Sequence, residues 1–318
     1  MKGQFHTNPK TGITDPCRAF KSECPYIHGD TPEEAQRLFE RHMEAYLMPH
    51  SASVKQLREM PAEVLRETPL KELDTGQLTQ TLRHESVNLG MQVEVVDSAI
   101  DLATILHAHQ QRGNRGNFTR TPYIEHPLRN ALRIVRFGVN SQDVTVASIL
   151  HDTIEDGAQV FVKKFYKIDS NEIDARKILG EHIKKAYGEN VFELVEAVTN
   201  DYIADVDKSK MSITEKNRIY LEHVHKNITG RPNVLLVKIS DFIDNATGLY
   251  HNDVPERATK TKNQATKYLP VVDVFRKALK DMEIPVSVEQ KSEIFDKMDR
   301  TEERLSKIIN RTQGDRNE

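Results

Sequence analysis

Apolar residues recur every three or four positions from about residue 93, and this spacing constrains the fold more than any other feature. Val96, Ala99, Ile100, Ala103 and Leu106 follow the pattern, which places them on one face of an amphipathic helix. Glycines stand near the ends of several later periodic segments, where helices commonly stop. Alternation of apolar and polar residues, the mark of a strand, forms no convincing run. The sequence therefore predicts an all-α fold.

The periodic segments divide the chain into four parts. Residues 1–29 are rich in Gly, Pro, Thr, His and Cys and are expected to form an irregular N-terminal module. Residues 30–90 show weak periodicity and are expected to be a helical extension or linker. A central helical domain is expected at 91–282, followed by a C-terminal helix at 283–318. Helices are predicted at 126–137, 142–155, 171–186, 189–199, 212–227, 233–248, 255–282 and 287–311.

The composition argues against several classes of protein. A net charge of −3 gives no global attraction to nucleic acid or to an anionic membrane. No apolar run reaches the roughly 18 residues that a transmembrane helix needs. The 2 cysteines are too few for a disulfide framework, so a cytoplasmic location is expected.

The stretch ASILHDTIEDGA, residues 147–158, combines an apolar run with four ionisable side chains. His151 and Asp152 end the run, and Glu155 and Asp156 follow one helical turn later. A buried carboxylate is costly unless a cation compensates it, so the pattern favours a divalent ion held within the helices. The alternative is a solvated helix end that carries ordinary acidic residues.

Two further segments supply ligands of suitable type. His126 stands just before a predicted helix in TPYIEHPLRNAL, and Asp241 stands inside the apolar segment VLLVKISDFIDNATGL. Each residue alone is more often a satisfied core residue than a ligand. With His151 and Asp152 they form a set of two imidazoles and two carboxylates, which suits Mn²⁺ and also allows Fe, Zn or Co.

The order His…His-Asp…Asp resembles the signature of HD-domain phosphohydrolases. The wider pattern is similar to the hydrolase domain of RelA/SpoT-type alarmone enzymes and, more closely, to the small stand-alone alarmone hydrolases. The similarity covers roughly residues 99–250 and rests on ILHAHQQRGNRGNFTRTPYIEHP, ASILHDTIEDG, AYGENVFELVEAVTND and LLVKISDFIDN, in the family order. It implies an HD-domain helical bundle, with the irregular module before it and C-terminal helices after it.

The resemblance also implies an activity. The family removes pyrophosphate from the ribose 3′ position of a guanosine alarmone, ppGpp or pppGpp, and such an enzyme could counter an alarmone synthetase. One Mn²⁺ per chain is expected, with His126, His151, Asp152 and Asp241 as its ligands.

Further roles carry over from the same resemblance. Glu155 and Asp156 would orient or deprotonate the attacking water, which a nearby carboxylate can do by accepting a proton. An arginine in the loop before His126 would contact the nucleotide, although a solvated loop arginine is the alternative. The expected substrate-binding residues are Arg112, Arg115, Lys238 and Asn245.

Two positions depart from the family pattern. Phe242 follows the final carboxylate, where the family usually has Arg or Lys, and Gly116 stands where the family loop has Lys. Both changes remove positive charge, which favours another nucleotide phosphate ester as the substrate. A catalytically silent nucleotide-binding protein is a third interpretation, although such a protein has no need of Glu155 and Asp156.

The N-terminal module contains two cysteines and two histidines that could close a structural zinc site. The spacing between the cysteines is longer than in a standard zinc knuckle, and the alternative is a turn-rich leader with free thiols. The four residues are His6, Cys17, Cys24 and His28.

Two features near the C-terminus have open roles. The basic segment RATKTKNQATKYLP is either a solvated helix face or a source of phosphate contacts. The tail from about residue 289 is amphipathic, and its apolar stripe either packs on the bundle or forms an oligomer contact. The stripe comprises Ile294, Met298, Leu305 and either Ile308 or Ile309.

Overall fold

The computed structural model describes residues 5–7, 14–16, 28–29, 31–33, 65–66, 68–115, 118–200, 211–250 and 257–311. Contacts between Cα atoms divide the chain into two compact units, Met1–Pro69 and Leu70–Glu318. The division at residue 70 differs in position from the expected boundaries at residues 30 and 91, which stay predictions.

The first unit contains three short strands, β1 (Phe5–Thr7), β2 (Thr14–Pro16) and β3 (His28–Gly29). They form an antiparallel sheet in which β1 lies between the other two. The backbone of His6 pairs with that of His28. Cys17 and Cys24 lie outside the described residues, so the zinc site stays a prediction.

The second unit is built mainly from helices, which confirms the predicted all-α class. Most predicted helix ends agree closely with the observed ones, and a π-helical turn lies at Val162–Tyr166. Its described residues form α1 (Thr75–Asn88), α2 (Val93–Leu106), α3 (Glu125–Arg136), α4 (Gln142–Leu150), α5 (Thr153–Phe161), α6 (Glu172–Tyr187), α7 (Glu189–Val198), α8 (Ile213–Ile228), α9 (Pro232–Tyr250), α10 (Ala258–Asp281) and α11 (Val288–Asn310).

The helix predicted over 142–155 is wrong as a single element, because the helical conformation is interrupted between α4 and α5. Carbonyl groups at the end of α4 accept hydrogen bonds from side chains, in place of the backbone N–H groups of a continuing helix. The ring of His151 bonds the carbonyl of Ser148 at 2.9 Å, and the hydroxyl of Thr153 donates to the carbonyl of Leu150 at 2.6 Å. The break leaves His151 and Asp152 in the corner between the two helices.

A hairpin between α2 and α3 was not anticipated from the sequence. Its strands are β4 (Gln111–Arg115) and β5 (Phe118–Pro122), which pair antiparallel. The segment is polar on almost every position, so it carries no alternating apolar signal.

Helix α1 lies within the range 30–90 that the sequence suggested as an extension or linker, yet it packs against α3. Leu78 and Leu82 are fully buried in this contact region. Asp74 begins the helix with a capping box, in which its side chain and that of Gln77 satisfy each other's backbone N–H groups. The segment just before the expected central domain at 91–282 is therefore part of the helical unit.

Helix α9 is the centre of the second unit, because it packs against α3, α4, α7, α8, α10 and α11. Its apolar residues Val234, Leu235, Leu236 and Ile239 are at most 1% exposed. Burial on all sides explains why Asp241, in the same helix, needs partners for its charge. In the described parts of the chain, no helix has the length and apolar character to span a membrane.

The two C-terminal helices pack against each other, and α11 also packs against α9. The apolar stripe of α11 is used in this packing, since Ile294, Met298, Leu305 and Ile308 are buried. An oligomer contact through these helices stays a prediction.

Candidate active site

The four residues predicted as metal ligands meet at one point, although separate parts of the chain carry them. His126 lies in the first turn of α3, and Asp241 lies near the middle of α9. The Nε2 atom of His126 is 3.1 Å from Oδ1 of Asp241 and 3.5 Å from Oδ2 of Asp152. The Nε2 atom of His151 is 3.0 Å from Oδ2 of Asp152 and 3.5 Å from Oδ1 of Asp241. Two imidazoles and two carboxylates therefore face a common centre.

The hydrogen bonds of the two Nδ1 atoms indicate that Nε2 of each histidine faces that centre with a lone pair. Nδ1 of His126 lies 2.8 Å from Oδ2 of Asp244, and Nδ1 of His151 lies 2.9 Å from the carbonyl oxygen of Ser148. An ionised carboxylate and a carbonyl can only accept, so each Nδ1 must be the donor. A neutral imidazole then directs the lone pair of Nε2 toward the common centre.

The two carboxylates at this centre favour a positive charge between them. Burial alone would lower the pKa of His151, but the carboxylates of Asp152 and Asp241 outweigh it and raise the pKa to about 10. Burial likewise opposes ionisation of the two carboxyl groups, yet the imidazoles hold the pKa of each well below its usual range. A divalent cation can supply the same positive charge in place of protons.

The donor atoms fit such a cation. One ligand atom from each of His126, His151 and Asp241 lies within 4.8 Å of the others. Among the described residues, no atom forms a hydrogen bond with the buried Nε2 of His151, as expected of an atom that is to bind a metal. Asp152 completes the group, and its Oδ2 also accepts a 2.6 Å hydrogen bond from the hydroxyl of Tyr123. The nitrogen and oxygen donors suit a divalent transition metal without selecting one.

Glu155 and Asp156 lie in the first turn of α5, but their surroundings differ. The backbone N–H and the side-chain amide of Asn200 donate to the Glu155 carboxylate at 3.1 Å and 2.8 Å. Asp156 is exposed at the surface. Partial loss of hydration, and then repulsion by Asp152 and Glu155, raises the pKa of Asp156 to about 6. Access to water and a raised pKa suit a proton acceptor.

A cavity of about 210 Å³ adjoins the candidate metal centre and is strongly cationic. Among the described residues, one acidic side chain, Asp244, lines it. Opposed to that single carboxylate are the cationic side chains of Lys71, Arg112, Arg129, Arg257 and Lys260. A cavity with this excess of positive charge suits a ligand with several phosphate groups.

Two of the predicted substrate-binding residues join this cavity to the metal centre. Arg112 and Asn245 both line the cavity, and the guanidinium of Arg112 donates to the side-chain oxygen of Asn245. The amide of Asn245 in turn donates to Oδ1 of Asp241 at 2.7 Å. The guanidinium also lies over the ring of Tyr123, 5.2 Å from its centroid, and its buried Nη1 has no hydrogen-bond partner within the described part of the chain.

The other two predicted substrate-binding residues are not brought into the cavity. Lys238 is 4% exposed and donates to the carbonyl of Val198 at 2.7 Å, and it is not among the residues that line the cavity. Arg115 lies in β4, and the structure describes only its backbone. A substrate contact by either residue stays a prediction.

The structure contains a buried polar cluster beside His126 that was not predicted from the sequence. The carboxylate of Asp244 accepts hydrogen bonds from Arg129 and Arg133 as well as from His126. The signal for it is present in the sequence, because His126, Arg129 and Arg133 stand three or four residues apart and therefore share one face of α3. Asp244 likewise follows Asp241 by three residues, which places both carboxylates on neighbouring parts of one helix face.

Phe242, the departure from the family pattern, lies outside the cavity and inside the core. Its side chain is 1% exposed, with its ring edge-to-face with the rings of Tyr268 and Phe275. The position therefore supports packing between α9 and α10. Gly116 lies outside the described residues.

Comparisons with known proteins relate more than half of the chain to one family. The sequence model described as "HD domain" matches residues 99–270. The chain is 30% identical over 159 residues to the guanosine-3′,5′-bis(diphosphate) 3′-pyrophosphohydrolase MESH1 of Xenopus tropicalis, with 47% of this chain and 71% of that protein covered. It is 29% identical over 178 residues to the guanosine-3′,5′-bis(diphosphate) 3′-pyrophosphohydrolase of Aquifex aeolicus.

The extent of these matches differs between the relatives. The match to the Aquifex aeolicus protein covers 56% of this chain but 21% of that protein, so the chain spans about a fifth of it. A solved structure of a metazoan orthologue of SpoT that hydrolyses ppGpp aligns with a TM-score of 0.44 and 21% identity. That alignment covers 65% of this chain and 94% of the other.

Proposed function

We propose, since this chain belongs to the HD domain family, that it is a metal-dependent hydrolase that removes the 3′-pyrophosphate of a guanosine alarmone. The observation that carries the proposal is the convergence of His126, His151, Asp152 and Asp241 beside a cationic cavity. The names of the relatives support the choice of substrate. Such an enzyme could counter an alarmone synthetase.

One Mn²⁺ per chain is the proposed cofactor, with the four converging side chains as its ligands. A divalent cation at this centre would polarise a phosphoryl oxygen and make a nearby water easier to deprotonate. The hydrogen bond from Tyr123 fixes one oxygen of Asp152, so that carboxylate has a defined orientation. The bond from Asn245 does the same for Asp241.

The two acidic residues of α5 take different parts in the proposed reaction. In the hydrolysis, a water oxygen bonds to the phosphorus next to O3′, the bond between that phosphorus and O3′ breaks, and O3′ receives a proton. Asp156 accepts the proton of the water, since it is exposed and has a raised pKa. Glu155, held by Asn200, orients the water.

The cavity supplies the proposed binding site for the phosphate groups. Its cations compensate the negative charge of a bis(diphosphate), and Arg112 can donate to phosphate with Nη1, which bonds none of the described residues. Because Asn245 links Arg112 to Asp241, an anion bound by Arg112 lies close to the metal ligands.

The purified protein, loaded with Mn²⁺, should be incubated with guanosine 3′,5′-bis(diphosphate) and with a panel of other nucleotide phosphates. Release of pyrophosphate together with GDP, measured by ion-exchange chromatography, is the expected result, and the Asp152→Asn variant should release neither. Gly116 stands where the family loop has Lys, and preferential hydrolysis of another nucleotide would establish a different phosphate ester as the substrate. Binding without hydrolysis of any nucleotide would instead establish a nucleotide-binding protein.

A structural Zn²⁺ held by His6, Cys17, Cys24 and His28 is a separate proposal. It is supported by the ligand types and by the pairing of His6 with His28 in the sheet. Elemental analysis should find zinc in the wild type and not in a Cys17→Ser, Cys24→Ser variant. Equal zinc in both proteins would remove this proposal.

A further inference from the structure

Asp244 lies at the boundary between the candidate metal centre and the cationic cavity. It follows Asp241 by three residues on α9, and its side chain is 0% exposed. Its Oδ2 atom lies 2.8 Å from Nδ1 of His126, on the side of the ring opposite the metal centre. Asp244 is therefore in contact with a proposed ligand without being one of the converging ligands itself.

The carboxylate of Asp244 is held in place by three cationic side chains. Arg129 forms a two-pronged contact, with Nε 2.8 Å from Oδ1 and Nη2 3.0 Å from Oδ2. Arg133 donates to Oδ1 at 3.1 Å, and Lys71 donates to Oδ2 at 3.2 Å. Since a carboxylate has about four lone-pair positions, these donors and His126 fill its capacity and leave it one orientation.

The contacts of Asp244 also fix the direction of its bond to His126. Arg129, Arg133 and Lys71 supply only donors to the two carboxylate oxygens. The same carboxylate accepts from the imidazole, so Nδ1 of His126 carries the proton. A carboxylate partner of this kind also raises the basicity of the opposite ring nitrogen.

We propose that Asp244 is the positioning residue of the metal centre, which fixes the ring of His126 with Nδ1 protonated so that Nε2 can bind the cation. This inference rests on the metal centre of the proposed function and is independent of the substrate. His151 differs, because its Nδ1 bonds the neutral carbonyl of Ser148. His126 is therefore the ligand that receives support from a full negative charge.

The alternative is that Asp244 is only a structural ion-pair partner for α3. In that case its loss would lower stability without changing the affinity of the folded protein for metal. Arg129 also forms an ion pair with Glu125 of the same helix, at 3.3 Å, so Arg129 has a charge partner besides Asp244. Metal affinity, measured well below the melting temperature, therefore separates the two roles.

The test is the Asp244→Asn variant, which keeps the size of the side chain but replaces one acceptor oxygen by an NH₂ group. That group can donate to Nδ1 of His126 and thereby favour a proton on Nε2, which blocks metal binding. Titration with Mn²⁺ alone should show an affinity about 10–100-fold weaker than that of the wild type, the typical effect of losing such a partner.

A matched control is Glu85→Gln, which removes the 3.2 Å ion pair between Glu85 of α1 and Arg136 of α3. This change also weakens a helix contact of α3, but it does not touch His126. The control should keep wild-type Mn²⁺ affinity. Wild-type affinity in a folded Asp244→Asn variant would overturn the inference and leave the proposed hydrolase intact.

A measurement on the wild type covers the case in which the Asn variant does not fold. Histidine-selective ¹⁵N NMR of the Zn²⁺-loaded full chain should show His126 with a proton on Nδ1 and none on Nε2. A proton on Nε2 would overturn the inference. Neither measurement uses a nucleotide, so a failure to hydrolyse alarmone would remove the proposed function without affecting this result.

Discussion

The Nε2 atom of His126 on α3 lies 3.1 Å from Oδ1 of Asp241 on α9, and the proton of the imidazole belongs on the other ring nitrogen. Two lone pairs at this distance repel each other unless a proton or a cation lies between them. Helices α3 and α9 pack against each other in the centre of the bundle. Their packing should therefore depend on whether a proton or a cation lies between these two side chains.

Metal binding should consequently stabilise the fold. A ligand that binds the folded state alone adds about 2.7 kcal/mol to the free energy of unfolding when its concentration is 100 times its Kd. The melting temperature should rise on addition of Mn²⁺ and fall with a chelator. Asp241→Asn should lose this dependence, whereas Glu85→Gln should retain it. An equal response to Mn²⁺ in the Asp241→Asn variant would count against Asp241 as a ligand.

The double substitution Glu155→Gln, Asp156→Asn should separate chemistry from metal binding. It keeps the shapes of both side chains but removes their capacity to accept a proton. Because general acid–base assistance is typically worth about 10²–10⁴-fold, turnover should fall by at least about 10²-fold while the metal content stays near normal. Asp152→Asn should lose metal and activity together. An unaffected rate in the double variant would refute the roles assigned to Glu155 and Asp156.

The titration of Asp156 should be visible in the activity. Its pKa is raised to about 6 by loss of hydration and by nearby carboxylates, and a bound cation will offset part of that repulsion. A proton acceptor must be ionised, so kcat/KM at saturating Mn²⁺ should decline on acidification with a midpoint at or below about pH 6. The Asp156→Asn variant should lack this decline. The same acid limb in that variant would assign the titration to another group.

A consequence for stability follows from the same shift in pKa. Because the pKa of Asp156 is raised above its usual value of 3.8, the folded protein binds more protons than the unfolded chain between that value and about 6. Its contribution to the free energy of unfolding should decrease as the pH rises through this interval. Comparison of wild type and Asp156→Asn by denaturant titration at several pH values measures the difference.

The sequence predicted most helices because each buries an apolar stripe at helical spacing, as Val96 and Ala99 do in α2. It could not predict the break after Leu150, because side-chain bonds from His151 and Thr153 end α4 there without a glycine or proline. It also missed β4 and β5, whose polar residues pair through backbone bonds that leave no apolar pattern.

Part of the candidate site could be predicted from the types and order of its residues, whereas contacts between distant parts of the chain could not. The four converging residues were predicted as ligands because their types and order resemble a known family. Asp244 was missed because its importance depends on Arg129, Arg133 and Lys71, which approach it from distant parts of the chain. A substrate contact by Lys238 stays a prediction, and in the structure its ammonium group bonds the carbonyl of Val198 inside the bundle.

The cationic cavity should control KM for a polyphosphate substrate. Arg112→Lys removes the planar fork that can bond both Asn245 and a phosphate, and Lys260→Ala removes a cation of the cavity lining. Hydrogen bonds to charged groups contribute about 1.5–3 kcal/mol, so each change should raise KM by roughly 10-fold or more. Lys307→Ala, an exposed change on α11, is the control and should leave KM unchanged. An unaltered KM in both cavity variants would place the substrate elsewhere.

Replacement of Phe242 by arginine tests whether its departure from the family pattern reflects substrate or packing. Phe242 is 1% exposed between Tyr268 and Phe275, so an arginine there would bury an unpaired charge, which costs roughly 3–5 kcal/mol when no partner compensates it. Phe242→Arg should therefore lower the free energy of unfolding by several kcal/mol and should not lower KM. Phe242→Leu keeps the apolar character and should cost about 1–2 kcal/mol. Denaturant titration and steady-state kinetics measure both effects, and a stable Phe242→Arg variant with a lower KM would show that this position faces the substrate.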